Sequence, residues 1–157
     1  MLFRSPTALS AVSAVGWVTG GVLYSWLLAD MSALRMLRIS IVFGTVSTLG
    51  FLLMKDPVSA VVVYFVVGVA NMIANVATLT LAANHAPVRA EGFAFAALMS
   101  VINLTAPLSD TSGAYLYEHL FGAHLAPLII VSAAFTAFAL VLIPIFGIDR
   151  AEIARAA

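Results

Sequence analysis

The sequence contains no cysteine and has few charged residues. The lack of cysteine excludes disulfide bonds and thiolate metal sites, and it says little about the compartment. Charged residues make up only 9% of the 157 positions, whereas a soluble domain of this length has about a quarter. Seven basic and seven acidic residues give a formal net charge of zero. We therefore expect no nucleic-acid partner, because nucleic-acid binding needs a basic patch.

Motifs of common catalytic and phosphate-binding sites are also lacking. There is no H-E-x-x-H, no G-x-S-x-G and no glycine-rich phosphate loop, so nothing in the sequence supports an intramembrane enzyme. Glu118, His119 and His124 lie in one short turn without a further ligand cluster nearby, and His85 falls in another loop. The prediction is no enzymatic activity, no cofactor and no metal.

What the sequence does contain is apolar residues, which make up 63% of the chain and lie in long runs. About 20 such residues are enough for a helix to cross a bilayer. The charged residues fall between the runs, as in polytopic membrane proteins. We predict an all-α, polytopic transmembrane helical bundle that forms a single transmembrane domain over residues 1–157. Its five spans are expected at about 7–29, 36–54, 57–82, 92–117 and 126–147.

Small residues and prolines predict details of these spans. Gly16 and Gly20 have G-x-x-x-G spacing, which favours close approach of a neighbouring helix. Asp56 followed by Pro57 is typical of a helix start, with the aspartate as the N-cap. Pro144 is expected near the end of the last span.

Two groups of polar residues lie within the apolar spans. Asn71, Asn75 and Thr78 share one face of the third helix, where they either form interhelical hydrogen bonds or face a substrate. The fourth span carries its own group on one face at about 100° per residue: Ser100, Asn103, Pro107 and Asp110. A carboxylate inside a span is costly unless it faces a partner or water.

Within the fourth span, Asn103 lies nearer the middle and is the better candidate for direct contact with a solute. Asp110 lies roughly 27 Å along the helix. It is therefore either a proton- or cation-sensitive carboxylate or a hydrated residue near the outer surface.

The basic residues predict an orientation. If the spans alternate, five arginines fall on one side and only Arg4 and Lys55 on the other; the five are Arg35, Arg38, Arg89, Arg150 and Arg155. By the positive-inside rule the first side is cytoplasmic. We expect an integral protein of the cell (inner) membrane with its N-terminus outside and its C-terminus in the cytoplasm.

Two stretches resemble the major facilitator superfamily. Gly21 through Asp30, followed by Arg35 and Arg38, resembles the family's cytoplasmic loop signature of a glycine, an aspartate and basic residues, although Met31 and Ser32 replace the usual glycine and basic residue. The stretch from Pro87 through Ser100, with Asn103, is similar to the penultimate helix of folate–biopterin-transporter-like members.

This resemblance implies an architecture and a function. Family members have twelve spans in two six-helix halves and bind substrate between the halves near the midplane. The five spans here correspond to the last five, so the chain is expected to be a C-terminal fragment of a symporter or antiporter that moves a small organic solute. A pterin- or folate-like solute is implied, and other metabolites or drugs are equally compatible.

The resemblance also assigns partners and site residues. The partners are membrane lipid, the solute and the N-terminal half. Solute binding and translocation would involve Asn71, Asn75, Ser100, Asn103 and Asp110. A cytoplasmic gating loop would include Asp30, Arg35, Arg38, Arg89 and Glu91, unless the arginines only set topology. The alternative is a small non-transporting integral membrane protein that packs against a partner membrane protein.

Overall fold

The computed structural model describes residues 6–28, 31–86 and 89–145, and its regular structure in these ranges is entirely helical. The five helices are α1 (Pro6–Leu23), α2 (Ala33–Leu49), α3 (Pro57–His85), α4 (Glu91–Tyr115) and α5 (Leu125–Ile145). One turn of different pitch extends each of three helices: a π turn at Tyr24–Leu28, a 3₁₀ turn at Gly50–Leu53 and a π turn at Leu116–Leu120. All five are long and apolar enough to cross a membrane. The predicted all-α bundle with five candidate spans is confirmed.

Some helix ends differ from the predicted ones. Helix α2 begins at Ala33 rather than at about 36, because Ser32 caps it and accepts a hydrogen bond from the Arg35 N–H at 3.4 Å. Arg35 and Arg38 therefore lie in the first turns of α2 and not in a loop. The fourth span continues helically to Leu120 because the Phe121 N–H bonds to the Leu116 carbonyl at 2.9 Å.

Helix α3 ends later than predicted, and the end of α5 reaches the limit of the described residues. Helix α3 runs to His85 rather than to about 82, so His85 is helical rather than part of a loop. Pro144 lies in the last turn of α5, one residue before Ile145, where the described part of the chain ends, so the predicted end near residue 147 lies outside the described residues.

The start of α3 follows the sequence prediction. The Asp56 carboxylate accepts a hydrogen bond from the Ser59 N–H at 2.8 Å, and the Ser59 hydroxyl accepts one from the Asp56 N–H at 3.1 Å. These reciprocal bonds form a capping box, with Pro57 at the first helical position. The box fixes the point at which the chain turns back into the bundle.

Helix α3 is the centre of the bundle, since it packs against both α1 and α2, and α2 in turn packs against α5. Helices α1 and α3 run parallel, because Gly16 lies beside Gly68 and Tyr24 lies beside Thr80. Helix α2 is antiparallel to α3, because Gly50, at its end, lies beside Val63, near the start of α3.

The core lies where α1, α2 and α3 meet. Met36, Val69, Ile73 and Ala77 are buried together, and partly buried aromatic and leucine side chains surround them. Tyr24 is one of these, and its hydroxyl lies 3.3 Å from the Thr80 hydroxyl. The side chain of Tyr24 therefore contributes to packing between helices.

Close approach of α1 and α3 depends on glycines. A Cβ atom added to Gly16 would meet the Phe65 carbonyl oxygen and lie 3.1 Å from the Gly68 Cα, and one added to Gly20 would lie 2.9 Å from the Val69 carbonyl oxygen. The prediction that Gly16 and Gly20 form a helix–helix contact is confirmed. Gly68 is the partner that spacing within α1 alone did not identify.

Helices α2 and α5 also meet through small residues. Gly44 of α2 lies beside Thr136 of α5, where an added Cβ would be 4.0 Å from the threonine methyl. Ser40 and Ser47 of α2 are buried, and each hydroxyl donates to a carbonyl of its own helix, at 2.8 and 2.7 Å. The buried hydroxyls therefore have partners without help from another helix.

Candidate functional site

Helix α4 differs from the other four helices because none of its residues from Glu91 to Tyr115 is buried. It makes far less contact with α3 than α1 and α2 do. Ser100, Asn103 and Asp110 are all exposed on it. The Ser100 hydroxyl donates to the Ala96 carbonyl of the same helix at 2.8 Å. The predicted polar face thus lies on a helix that the other described helices leave uncovered.

Polar residues occupy more of α4 than the predicted face. Six of the ten residues from 103 to 112 are polar, and Thr105, Ser109 and Ser112 lie roughly opposite Ser100 at about 100° per residue. The Thr105 hydroxyl bonds to the Ile102 carbonyl at 3.1 Å, and the Thr111 hydroxyl bonds to the Pro107 carbonyl at 2.8 Å. Counting hydroxyl residues around the whole helix, rather than along one face, finds this segment.

The polar residues of α3 are also at the surface. Asn71 and Asn75 are exposed, while Thr78 is half-buried and donates to the Ala74 carbonyl at 2.8 Å. Within the described helices, neither asparagine forms an interhelical hydrogen bond. No hydrogen bond in the described ranges joins this group to the polar residues of α4. The structure therefore presents two separate polar surfaces.

The charged residues proposed for gating lie at one end of the bundle. Because α1 and α3 are parallel and α2 is antiparallel to them, the start of α2 and the end of α3 are at the same end. Arg35 and Arg38 lie at the start of α2, Arg89 and Glu91 follow the end of α3, and all four are exposed. Lys55 lies at the other end. Asp30 and the arginines at 4, 150 and 155 fall outside the described residues.

At the opposite end, three ionisable side chains make local contacts, namely those of Asp56, His119 and His124. The hydrogen bond from the Ser59 N–H lowers the pKa of the Asp56 carboxyl below its ordinary value, and the hydrogen bond with the Ser59 side chain lowers it further. His119 stacks on Tyr115 with ring centroids 4.5 Å apart, and His124 Nδ1 lies 2.9 Å from the Gly122 carbonyl oxygen. Residues 6–28, 31–86 and 89–145 contain no group of three or more His, Cys, Asp or Glu placed to hold a metal ion.

Comparisons of the chain with models of protein families, with curated proteins and with solved structures find no match. The five candidate spans are consistent with an integral membrane protein.

Proposed function

We propose that this chain is the C-terminal part of a major facilitator superfamily secondary transporter, a symporter or antiporter, that moves a small organic solute across the cell (inner) membrane. The observation that carries the proposal is the exposure of α4. Its candidate span, Glu91–Leu120, is 30 residues long, has no buried residue and carries polar side chains around its second half.

Lipid is a poor environment for such a helix. Placing an aspartate at the centre of a membrane helix costs about 2.5–3.5 kcal/mol on insertion scales, and polar groups in spans usually face other helices or a water-filled cavity. Asn103 and Asp110 are exposed, and no hydrogen bond pairs them with another described side chain. A helix of this kind needs further protein or water beside it, and a transporter built of two halves provides both.

The proposal gives each polar surface a role. Asn103, nearer the middle of α4, contacts the solute, with Ser100 beside it. Asn71 and Asn75 would contact the solute from the polar surface of α3, and Asp110 is the acidic group of α4 nearer the outer side. The suggestion of a pterin- or folate-like solute comes only from the sequence resemblance.

The charged end of the bundle is assigned to the cytoplasm. Arg35, Arg38, Arg89 and Glu91 there would contact the other half of the transporter when the cytoplasmic side closes, together with Asp30. Such contacts between charged turns and helix ends are stabilising because they pair opposite charges and dipoles.

Solute uptake into vesicles that contain the transporter with all its spans tests these roles. Asn103→Ala is expected to weaken solute binding, and Asp110→Asn to change the response of uptake to an imposed proton gradient. Val131→Ala on the exposed surface of α5 is the matched control and should leave both unchanged. If the first variant keeps its affinity for the solute and the second keeps its response to the proton gradient, both residues have only a packing role.

The exposure of α4 also fits a second function, that of a small non-transporting membrane protein that packs against a partner. The two functions differ in the native polypeptide. Mass spectrometry of the protein from its own membranes would find a much longer chain for the transporter. A chain of this length, crosslinked through α4 to a different membrane protein, would favour the second function.

A further inference from the structure

Helix α4 stands apart from α3 over its second half. In its first half Ala94, Leu98 and Met99 are half-buried, whereas every residue from Ser100 to Ser112 is exposed. The contact between α4 and α3 is small beside the contacts that α1 and α2 make with α3. The two helices therefore meet near the place where α3 ends and α4 begins, and they diverge from there.

Helices α1 and α2 cover two sides of α3 and leave a third side open. The third side carries a stripe, called the α3 stripe, in which alternating steps of four and three residues separate Asn71, Asn75, Thr78 and Ala82. Met72 lies beside Gly20 of α1, and Val63 lies beside Gly50 of α2. At about 100° per residue, Met72 and Val63 fall on either side of the α3 stripe. Neither α1 nor α2 therefore covers Asn71 and Asn75, which are exposed.

A matching stripe runs along α4. This α4 stripe has the same alternating steps of four and three and consists of Ala94, Leu98, Val101, Thr105, Leu108 and Ser112. Such alternation keeps a row of side chains facing a neighbouring helix along its whole length. The α4 stripe lies roughly opposite Asn103 and Asp110. It begins with Ala94 and Leu98, which are half-buried.

The two stripes are in register with each other. Consecutive membrane spans run in opposite directions, and α4 begins at the end of the bundle where α3 finishes. We counted positions back from His85, the end of α3, and forward from Glu91, the start of α4. Equal distances pair Ala82 with Ala94, Thr78 with Leu98, Asn75 with Val101, and Asn71 with Thr105. Side-by-side packing of the two helices would therefore place the polar side chains of Asn71 and Thr105 in one layer.

We propose that the second half of α4 closes onto α3 along these two stripes, and that in the closed form the Asn71 amide donates a hydrogen bond to the Thr105 hydroxyl oxygen. The Thr105 hydroxyl donates its proton to the Ile102 carbonyl at 3.1 Å, so its oxygen remains an acceptor. Asn71 is exposed and forms no interhelical hydrogen bond within the described helices. An unpaired amide in hydrocarbon is costly, and closure provides it with a partner.

The same chain is favoured over a second copy as the partner of the α4 stripe. Closure extends a contact that already exists at the start of α4, and the α3 stripe is held at a high effective concentration by the short connection. The inference requires that α3 and α4 cross the membrane, and it does not depend on the transporter proposal. In a transporter, the solute and α4 would compete for Asn71, so closure would cover the polar surface of α3.

Crosslinking of cysteine pairs in the full chain, reconstituted into lipid nanodiscs, tests closure without native background, since the protein has no cysteine. The pair Asn75→Cys with Val101→Cys leaves Asn71 and Thr105 unchanged. A short reagent with two thiol-reactive groups should join this pair within one chain. The control pair, Asn75→Cys with Asn103→Cys, places the second thiol about 3 Å further along α4 on its opposite face and should react more slowly. The mass of the intact product distinguishes crosslinked monomers from dimers.

The hydrogen bond is tested in the background of the reacting pair. Thr105→Val removes the acceptor with little change of shape and should slow crosslinking about threefold, which corresponds to the roughly 0.6 kcal/mol average for hydrogen bonds between membrane helices. Thr111→Val is the matched control and should react like the parent pair. Its hydroxyl also donates to a carbonyl of α4, at 2.8 Å, and it lies off the α4 stripe.

The closure of α4 is wrong if the Val101 and Asn103 pairs react equally or if neither reacts. The proposed hydrogen bond is wrong if Thr105→Val and Thr111→Val react alike. Crosslinked dimers in place of monomers would overturn the proposal and show that a second copy covers α4. No solute or proton gradient is needed, so a chain that crosslinks as expected but supports no uptake would contradict the transporter proposal alone.

Discussion

Gly16 of α1 and Gly68 of α3 lie face to face where the two parallel helices cross. A Cβ atom on Gly16 would lie 3.1 Å from the Gly68 Cα, and a Cβ atom on Gly68 would lie 3.2 Å from the Gly16 Cα. The neighbouring obstacles are backbone carbonyls, which cannot rotate away as a side chain can. The spacing of α1 and α3 therefore depends on the absence of side chains at both positions.

Substitution of Gly16 tests this contact from the side of α1. Gly16→Leu should disrupt folding or lower stability by more than about 1–3 kcal/mol, the usual cost of overpacking, because four carbon atoms must displace the backbone of α3. Val18→Leu is the control, since Val18 is 70% exposed and its replacement adds apolar volume to the surface only. Thermal unfolding in micelles measures both. Equal tolerance of the two changes would contradict the contact.

A single methyl group tests the same contact from α3. Gly68→Ala should destabilise the bundle by about 1–3 kcal/mol, because the added Cβ meets the Ser13 carbonyl oxygen. Gly113→Ala in α4 has nothing within 4 Å of the added Cβ, so the higher helix propensity of alanine should raise stability by up to about 1 kcal/mol. Melting temperatures that shift in the same direction for both variants would rule out the close crossing.

Acid should weaken the start of α3. The pKa of the Asp56 carboxyl is held below its ordinary value, chiefly by the Ser59 N–H. A carboxyl with a lowered pKa contributes stability above its unfolded pKa, and that contribution is lost as the pH falls through the folded pKa. The melting temperature of the wild type should therefore decrease when the pH is lowered below about 4. Asp56→Asn keeps a neutral cap and should show a smaller dependence on acid; equal pH profiles would refute the role of the carboxylate.

The orientation in the membrane can be measured without background labelling because the chain has no native cysteine. In intact cells, a membrane-impermeant maleimide should label Lys55→Cys, which lies at the predicted outer end. It should label Arg89→Cys only after the membrane is opened, because Arg89 lies at the predicted cytoplasmic end. Equal labelling of both from outside would reject the orientation.

Composition and local pattern were sufficient to predict the five helices and the N-cap at Asp56, because both depend on residues close in sequence. Which helices pack against each other was harder to predict from the sequence. The G-x-x-x-G spacing of Gly16 and Gly20 predicted a close contact, but nothing in α1 indicated that α3 would be the partner. Tyr24 and Thr80 are far apart in the chain, and their hydrogen bond becomes visible only when the crossing is known.

The candidate site shows a different limit. Asn103 and Asp110 were recognisable as polar groups in an apolar span, but the sequence did not show that α4 would stand apart from α3. A prediction based on one polar face also missed Thr105, Ser109 and Ser112, which lie on the other side of α4. Helical periodicity separates two faces well, and it gives little information when a helix is polar on both.

The pairing of α1 with α3 has a consequence for biosynthesis. Helix α1 gains its main neighbour only when α3 has been made, since α2, which follows it directly, packs on α3 and α5 instead. At about 5–20 residues per second, the interval between the end of α1 and the end of α3 is roughly 3 to 12 s. During that time α1 lacks the helix that covers its glycines in the folded bundle. The glycine surface of α1 is then open to chaperones, to the insertion machinery and to the wrong helices.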